Sequence, residues 1–394
     1  MTRDAVILEG ARTPMRRFLG DFARTSAIEL GAVAAQGALE RAQVRADDVQ
    51  HVVIGNAQQT SIDAVYGARH VALKAGVPES VPALTVNRLC GSGIESIVVV
   101  SRMIQAGELE VGLAGGMENM SMAPHVLYGG RAGFRMKDAA LQDSLVASLT
   151  DTYCGCTMSG TSDNLARRYG ISREAQDEFA LQSQQRAAVA RTEGRLGEEI
   201  VSVPIPGRGG THDVAEDDNL RPDTTLESLA ALSPAFGPDS FVTAGNASGI
   251  VDGGAAVIVT AGEWARQHDM TPLARVVAWA HVGVDPSHMG IGPVPATERV
   301  LAHAEWDLDS VDVFEVNEAF AGQYLAVEAE LGLDRAKVNV NGGSIALGHP
   351  LGMTGTRITY AAVRELQRRG GGRAVATACI GGGQGIALAL EAGR

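Results

Sequence analysis

Cysteine is scarce in this sequence, with four in 394 residues at Cys90, Cys154, Cys156 and Cys379. That is too few, and too unevenly spaced, for a disulfide framework, so a reducing compartment is expected, the cytoplasm if the source is bacterial. Cys154-Gly155-Cys156 has only His125 in its general neighbourhood, too few ligands for zinc, and no metal is expected. Positive charge is short as well: 33 Lys and Arg against 46 Asp and Glu leave a net charge of −13. Such a chain has no overall field to draw nucleic acid, and any phosphate it binds must meet a local site. No run approaches the roughly 20 apolar residues that would span a bilayer. Met1 leads into Ala5-Val6-Ile7-Leu8 without the basic stretch and long apolar core of a signal peptide. A Gly-Lys-Ser/Thr phosphate loop is missing, and Gly381-Gly-Gly-Gln-Gly385 lacks the spacing of a dinucleotide fingerprint. No permanently bound cofactor is therefore expected.

What is plentiful is glycine, with 48 residues, which points to many tight turns. The length allows two or three compact units. Strand-like runs alternate with helical ones: Val52 to Ile54, Ala64 to Lys74, Ala83 to Val86, Gly93 to Gln105, then Val111 to Ala114. This is the pattern of a layered α/β fold around a buried sheet. The last third repeats it, with a strand from Val311 to Val316, a helix from Glu318 to Leu331, and an Asn-bearing turn at Val340-Asn341-Gly342-Gly343 that matches the one around Asn87. A strand from Ala376 with a glycine turn closes this half, as Leu113 to Gly116 closes the first. The reading is an internal duplication, residues 1–120 with 249–270 forming one half and 271–394 the other. Residues 121–248 are an insertion, with a helix from Ser172 to Gly194 capped by Ser172. After it, Pro204 to Pro222 is rich in Gly, Pro and Asp, as in a loop domain that covers a site.

Four side chains could carry chemistry. Cys90, in Asn87-Arg-Leu-Cys-Gly-Ser-Gly93, lies between a strand and a helix start, where the helix dipole and free N–H groups would lower its pKa and favour thiolate. Glycines 91 and 93 would let a substrate and the backbone approach closely. His349 sits in a glycine-rich loop before Pro350 and a helix from about Thr354, a candidate base for a thiol. Cys379 ends a strand ahead of Gly381, whose N–H could help form an oxyanion hole. Asn317, after a strand, could hold a water or donate to an oxyanion, or simply end the strand.

Together, Asn87 to Gly93, Val316-Asn-Glu-Ala-Phe320, Asn339-Val-Asn-Gly-Gly-Ser-Ile-Ala-Leu-Gly-His-Pro-Leu-Gly352 and Cys379-Ile-Gly-Gly-Gly383 resemble the thiolase family in order and spacing. Ala11-Arg-Thr-Pro14, Gly115 to Ser121 and Val242 to Gly249 extend the resemblance end to end. It implies a duplicated five-layer αβαβα fold with an inserted loop domain, assembled as a homodimer or homotetramer. It implies that Cys90 is the acylated nucleophile, His349 its activator and Cys379 the acid/base for the acetyl-CoA carbanion. Asn317 would hold a water that, with His349, binds the thioester oxygen, while the N–H groups of Cys90 and Gly381 receive the acyl-enzyme oxyanion. Coenzyme A is the implied co-substrate, met by Arg221, Ser228, Ala244 and Ser248, with Met158 near the pantetheine. The reaction implied is thiolysis of 3-ketoacyl-CoA, or the reverse condensation of acetyl-CoA. Thr157 stands where many biosynthetic thiolases have a His, which argues against a strictly acetoacetyl-CoA enzyme, and Asp143-Ser-Leu with Arg221-Pro-Asp-Thr-Thr-Leu looks closer to thiolases of fatty-acid breakdown. A ketosynthase would not need Cys379, and a non-catalytic CoA or lipid binder would not keep all four reactive groups.

Overall fold

The computed structural model describes residues 3–136, 138–207 and 209–393; Met1, Thr2, Lys137, Arg208 and Arg394 lie outside the described residues. Nine strands of one mixed sheet order the chain: β1 (Ala5–Arg12), β2 (His51–Gly55), β3 (Ala83–Val86), β4 (Val111–Glu118), β5 (Val251–Ala261), β6 (Ala274–Gly283), β7 (Val313–Val316), β8 (Gly372–Ile380) and β9 (Gln384–Ala392). Their spatial order is β7-β8-β9-β6-β1-β5-β4-β2-β3, with a two-residue strand at Arg16–Arg17 pairing β5 as the tenth. Most read as apolar runs rather than alternating ones, because helices cover both faces; every residue of β5 is buried.

The duplication is visible in the pairing. In the first half β1, β5 and β4 run antiparallel in turn, and β2 then β3 add in parallel. In the second half β6, β9 and β8 run antiparallel, β7 adds in parallel, and Val338 bridges Phe314 in parallel where β3 would lie. The halves join where Ala5–Ile7 of β1 pair with β6.

Eight helices complete the layers: α1 (Ala27–Ala42), α2 (Gly67–Lys74), α3 (Ser92–Gln105), α4 (Met158–Tyr169), α5 (Arg173–Thr192), α6 (Pro293–Ala304), α7 (Ala321–Leu331) and α8 (Leu351–Arg368). α1 and α2 cover the first half, α6 and α7 the second, and α3 packs on α8 between them, buried on nearly all sides. Their crossing is set by glycine: a Cβ on Gly93 would collide with the backbone nitrogen of Thr356, and one on Gly355 with that of Ile94. Gly93 thus makes room for a helix rather than for a substrate, and Gly91 likewise makes room for Ile380 and Ile386.

Three boundaries also differ. α7 starts at Ala321, not Glu318, because Glu318 is buried as a hydrogen-bond acceptor and Phe320 stays extended to bridge Ala247. α8 starts at Leu351, directly after Pro350, where a proline's missing N–H costs nothing. The Gly- and Pro-rich stretch after α5 is a hairpin, Val203–Gly207 against Gly210–Val214, burying Val203, Ile205 and Val214 on Phe22 and Leu30. α5 begins as expected, with Ser172 Oγ accepting from Ala175 N at 3.2 Å. The inserted segment is pinned to β1 by Arg12, fully buried, which donates to Glu199 at 2.9 Å and to both oxygens of Asp217 at 2.8 and 2.9 Å.

Candidate active site

Cys90 stands on a single 3₁₀ turn, Leu89–Gly91, between β3 and α3. The turn is forced: Leu89 has φ of 45°, a left-handed conformation that a branched side chain seldom takes. It is held by Asn87 Oδ1, which accepts from Leu89 N at 2.9 Å, and by Ser92 Oγ, which accepts from Arg88 N at 2.8 Å and donates to the Leu89 carbonyl at 2.7 Å. The half-buried thiol packs with Met120, Leu145 and Leu351. Burial is the largest influence on it and pushes its pKa up to about 11; the N–H groups of Gly381 and of Cys90 itself oppose this, and the buried Glu118 adds to it. The lowering expected at this position is thus outweighed by desolvation. At rest Cys90 is a thiol.

His349 is buried, and its ring is fixed from both sides. Thr354 Oγ1 donates its one proton to the Pro350 carbonyl at 2.9 Å, so at 2.6 Å it must accept from Nδ1–H of His349. Nε2 is then the bare nitrogen, and Asn317 Nδ2 lies 3.3 Å from it. The Asn317 amide is oriented in turn: Oδ1 accepts from Ser344 Oγ at 2.7 Å, and that hydroxyl accepts from Arg357 Nη2 at 3.0 Å. Burial, with the charge of Arg357 second, drives the His349 pKa down to about 3. The imidazole is neutral, with its lone pair on Nε2.

Cys379 closes β8 and is fully buried, among Met289, Ala319, Met158 and Phe320. Burial first, then the nearby Cys90, holds its thiol far above the ordinary range. A cavity of about 440 Å³ brings Cys90, His349, Met158, Arg221, Ala244 and Ser248 together. Gly381 joins Cys90 and Met158 on an adjoining pocket of about 230 Å³, and Ser228 joins Arg221 and Ala244 on another of about 290 Å³. Cys379 and Asn317 are fully buried beside it, Cys379 packed with Met289 and Phe320 and Asn317 bonded to His349. The Ser228 hydroxyl is already engaged, donating to Thr225 O at 2.8 Å in the cap of the short helix Leu226–Ala230. The exposed Arg221 guanidinium has no hydrogen-bond or ion-pair partner among the described residues, so it offers a local positive charge at the outer end of the cavity in an acidic chain.

Four further residues were not singled out from sequence: Thr354, Ser344, Arg357 and Glu118. Glu118 accepts from Asn56 Nδ2 and from the N–H groups of Ala57, Gln58 and Gly352 at 2.8 to 3.0 Å, tying the loop after β2 to the start of α8. Burial raises its pKa to about 7. Neither Thr354, five residues after His349 and off the i+3 or i+4 spacing, nor Arg357 carried a local signal. No group of three or more His, Cys, Asp and Glu among the described residues is placed to hold a metal ion.

The arrangement offers a thiol near a bare imidazole nitrogen, N–H groups aimed at that thiol, and a second buried thiol, beside a cavity ending at a free guanidinium. It suits transfer of an acyl group from an anionic thioester. Comparison with known proteins agrees. The family described as Thiolase, N-terminal domain, matches residues 5–263, and Thiolase, C-terminal domain, matches residues 270–392. The chain is 48% identical to an acetyl-CoA acetyltransferase of Cupriavidus necator, over 98% of this chain and 99% of that one. It is equally 48% identical to the mitochondrial 3-ketoacyl-CoA thiolase of Homo sapiens, over 99% of each. Among solved structures, human mitochondrial 3-ketoacyl-CoA thiolase in complex with CoA matches with a TM-score of 0.97 and 47% identity, over 100% of this chain and 98% of that one.

Proposed function

This chain belongs to the thiolase family, and from that premise we propose how its own residues perform CoA-dependent cleavage of 3-ketoacyl-CoA. It is an acyltransferase, with coenzyme A as a substrate. Cys90 attacks the 3-keto carbon as its proton passes to Nε2 of His349. The oxyanion that forms on C3 is met by the N–H groups of Cys90 and Gly381, while an Asn317-held water and His349 bind the thioester oxygen of the acetyl-CoA part. The C2–C3 bond then breaks, and Cys379 gives its proton to the departing acetyl-CoA enolate. The acyl-enzyme oxygen lies against the N–H groups of Cys90 and Gly381 until CoA-SH, giving its proton to the Cys379 thiolate, takes the acyl group, and Cys90 regains its proton from His349 as the shortened acyl-CoA leaves. Run backwards, the same steps condense acetyl-CoA. Because both thiols are protonated at rest and the imidazole is neutral, each transfer moves a proton along with the bond it serves rather than from a standing ion pair. Arg221, Ala244 and Ser248, with Ser228 beside them, receive the nucleotide end of CoA, and Met158 lies against its pantetheine.

The observation that carries this reading is that Cys90, which receives the Gly381 N–H, lines one cavity with His349 and the exposed Arg221. Cys90→Ala is expected to give no acyl-enzyme from acetyl-CoA by intact-protein mass spectrometry, while Cys379→Gly still acylates yet cleaves no ketoacyl substrate. Normal turnover by the Cys90 variant would sink the assignment.

The finer reading is an enzyme of fatty-acid breakdown, supported by Thr157 and by the similarity to mitochondrial 3-ketoacyl-CoA thiolases; the acetoacetyl-specific alternative is not favoured. Thiolysis rates over short to long acyl chains test it, and activity confined to acetoacetyl-CoA would overturn it. A homodimer or homotetramer is supported by the edge strand β3 with exposed Leu84, and by Ile62, Val65 and Tyr66 exposed nearby in the chain. Four unpaired cysteines support the cytoplasm. Among the described residues no helix is long and apolar enough to cross a membrane. We divide the chain into halves at 1–120 with 249–270 and at 271–394, around an insertion at 121–248.

A further inference from the structure

Cys154 and Cys156 have no part in the reaction above, yet they sit in a short hairpin that walls the catalytic pocket. Its strands are minimal, Thr150–Asp151 against Cys156–Thr157, with Thr150 facing Thr157 and Asp151 facing Cys156. The turn between them bends at Gly155, whose φ is 70°, and a Cβ there would meet open space. Both sulfurs are half-buried and unpaired. The Cys156 thiol lies against the Cys154 carbonyl at 3.6 Å and in hydrogen-bonding reach of the Cys154 thiol. Thr150, Asp151 and Thr152 line the pocket beside Cys90 and Gly381, and Met158, the residue after the hairpin, lines both that pocket and the main cavity. A change in the turn therefore has two residues of travel before it reaches the wall.

We propose that Cys154 and Cys156 are a reversible redox site, closed to a disulfide by peroxide, and that closure shifts the Thr150–Thr152 wall and slows the enzyme. In the first step the Cys154 sulfur attacks one oxygen of hydrogen peroxide, the O–O bond breaks, and a sulfenic acid and water form. The Cys156 sulfur then attacks the sulfenic sulfur, the S–O bond breaks, and a second water leaves. Two thiols are oxidised and one peroxide is reduced, and a dithiol reductant reverses it by exchange. A disulfide across one residue closes a small, strained ring, which places it among the easily reduced bonds. It also draws Cys156 away from its pairing with Asp151. Cys90 and Cys379 are poorer targets, since burial holds both as thiols and Cys379 is sealed from solvent. Cys154 thus responds first and Cys156 resolves it, before the nucleophile is lost to irreversible oxidation.

The test uses the purified full-length enzyme, one equivalent of hydrogen peroxide, and peptide mapping without reductant. A Cys154–Cys156 crosslink, two hydrogens lighter than the dithiol peptide, is expected, together with a fall in thiolysis of roughly tenfold that dithiothreitol restores. Cys154→Ser and Cys156→Ser should keep the basal rate and lose the peroxide response. The proposal is overturned if both thiols stay free, if the crosslink forms without a rate change, or if the Ser variants are inactivated like the parent. Only the rate arm rests on the thiolase reading; the crosslink is read whatever the enzyme catalyses.

Discussion

At the scale of residues, the candidate site gathers neutral groups held in fixed poses. His349 owes its useful tautomer to Thr354, whose proton is committed to Pro350. Thr354→Val, which keeps shape but offers no acceptor, is expected to lower kcat by about 10- to 100-fold with little change in KM, as for a lost orienting partner; Thr354→Ser should restore most of it. Equal rates for Val and wild type would remove the positioning role. Cys90 gives a pH prediction whose sign follows from burial. With its pKa raised to about 11, its thiolate fraction still climbs about tenfold per pH unit below pH 9. Alkylation of Cys90 by iodoacetamide, followed by mass spectrometry, should therefore keep rising through pH 9. A plateau near pH 7 would mean that the helix start had won over desolvation.

Among elements, the crossing of α3 on α8 decides where Cys90 and His349 meet, since each lies at the start of one of these helices. Gly93→Ala or Gly355→Ala places a methyl against backbone that cannot step aside. A loss of about 1–3 kcal/mol is expected from urea midpoints, along with reduced activity as the helices part. Gly197→Ala is the control, because nothing lies within 4 Å of its Cβ position and its effect should stay within about 1 kcal/mol. If Gly93→Ala behaved like this control, the close crossing would not be a constraint.

For the whole molecule, one edge of the sheet is left open at β3, the strand that leads into the Cys90 turn. An exposed edge with an apolar Leu84, 44% exposed, asks for a partner, and a second copy would both cover it and steady the turn. Leu84→Arg should shift sedimentation towards a monomer and lower activity with it. A variant that sedimented like wild type would move the subunit contact elsewhere.

The sequence by itself determined the alternating α/β pattern, the duplication and the chemistry-bearing side chains, because these depend on local things: apolar runs, glycine turns, and a cysteine set between a strand and a helix. Cys90, His349 and Cys379 could be named from their neighbours alone. Tertiary structure decided what those groups are. Burial turned an expected thiolate into a thiol, closed Cys379 and Asn317 off from solvent, and set Gly91 and Gly93 against close neighbours. It also joined Arg357, Ser344 and Asn317, which stand on three separate segments, into the support that orients His349. Desolvation and long-range contact arise only when distant segments close over one another, and no window of sequence contains them.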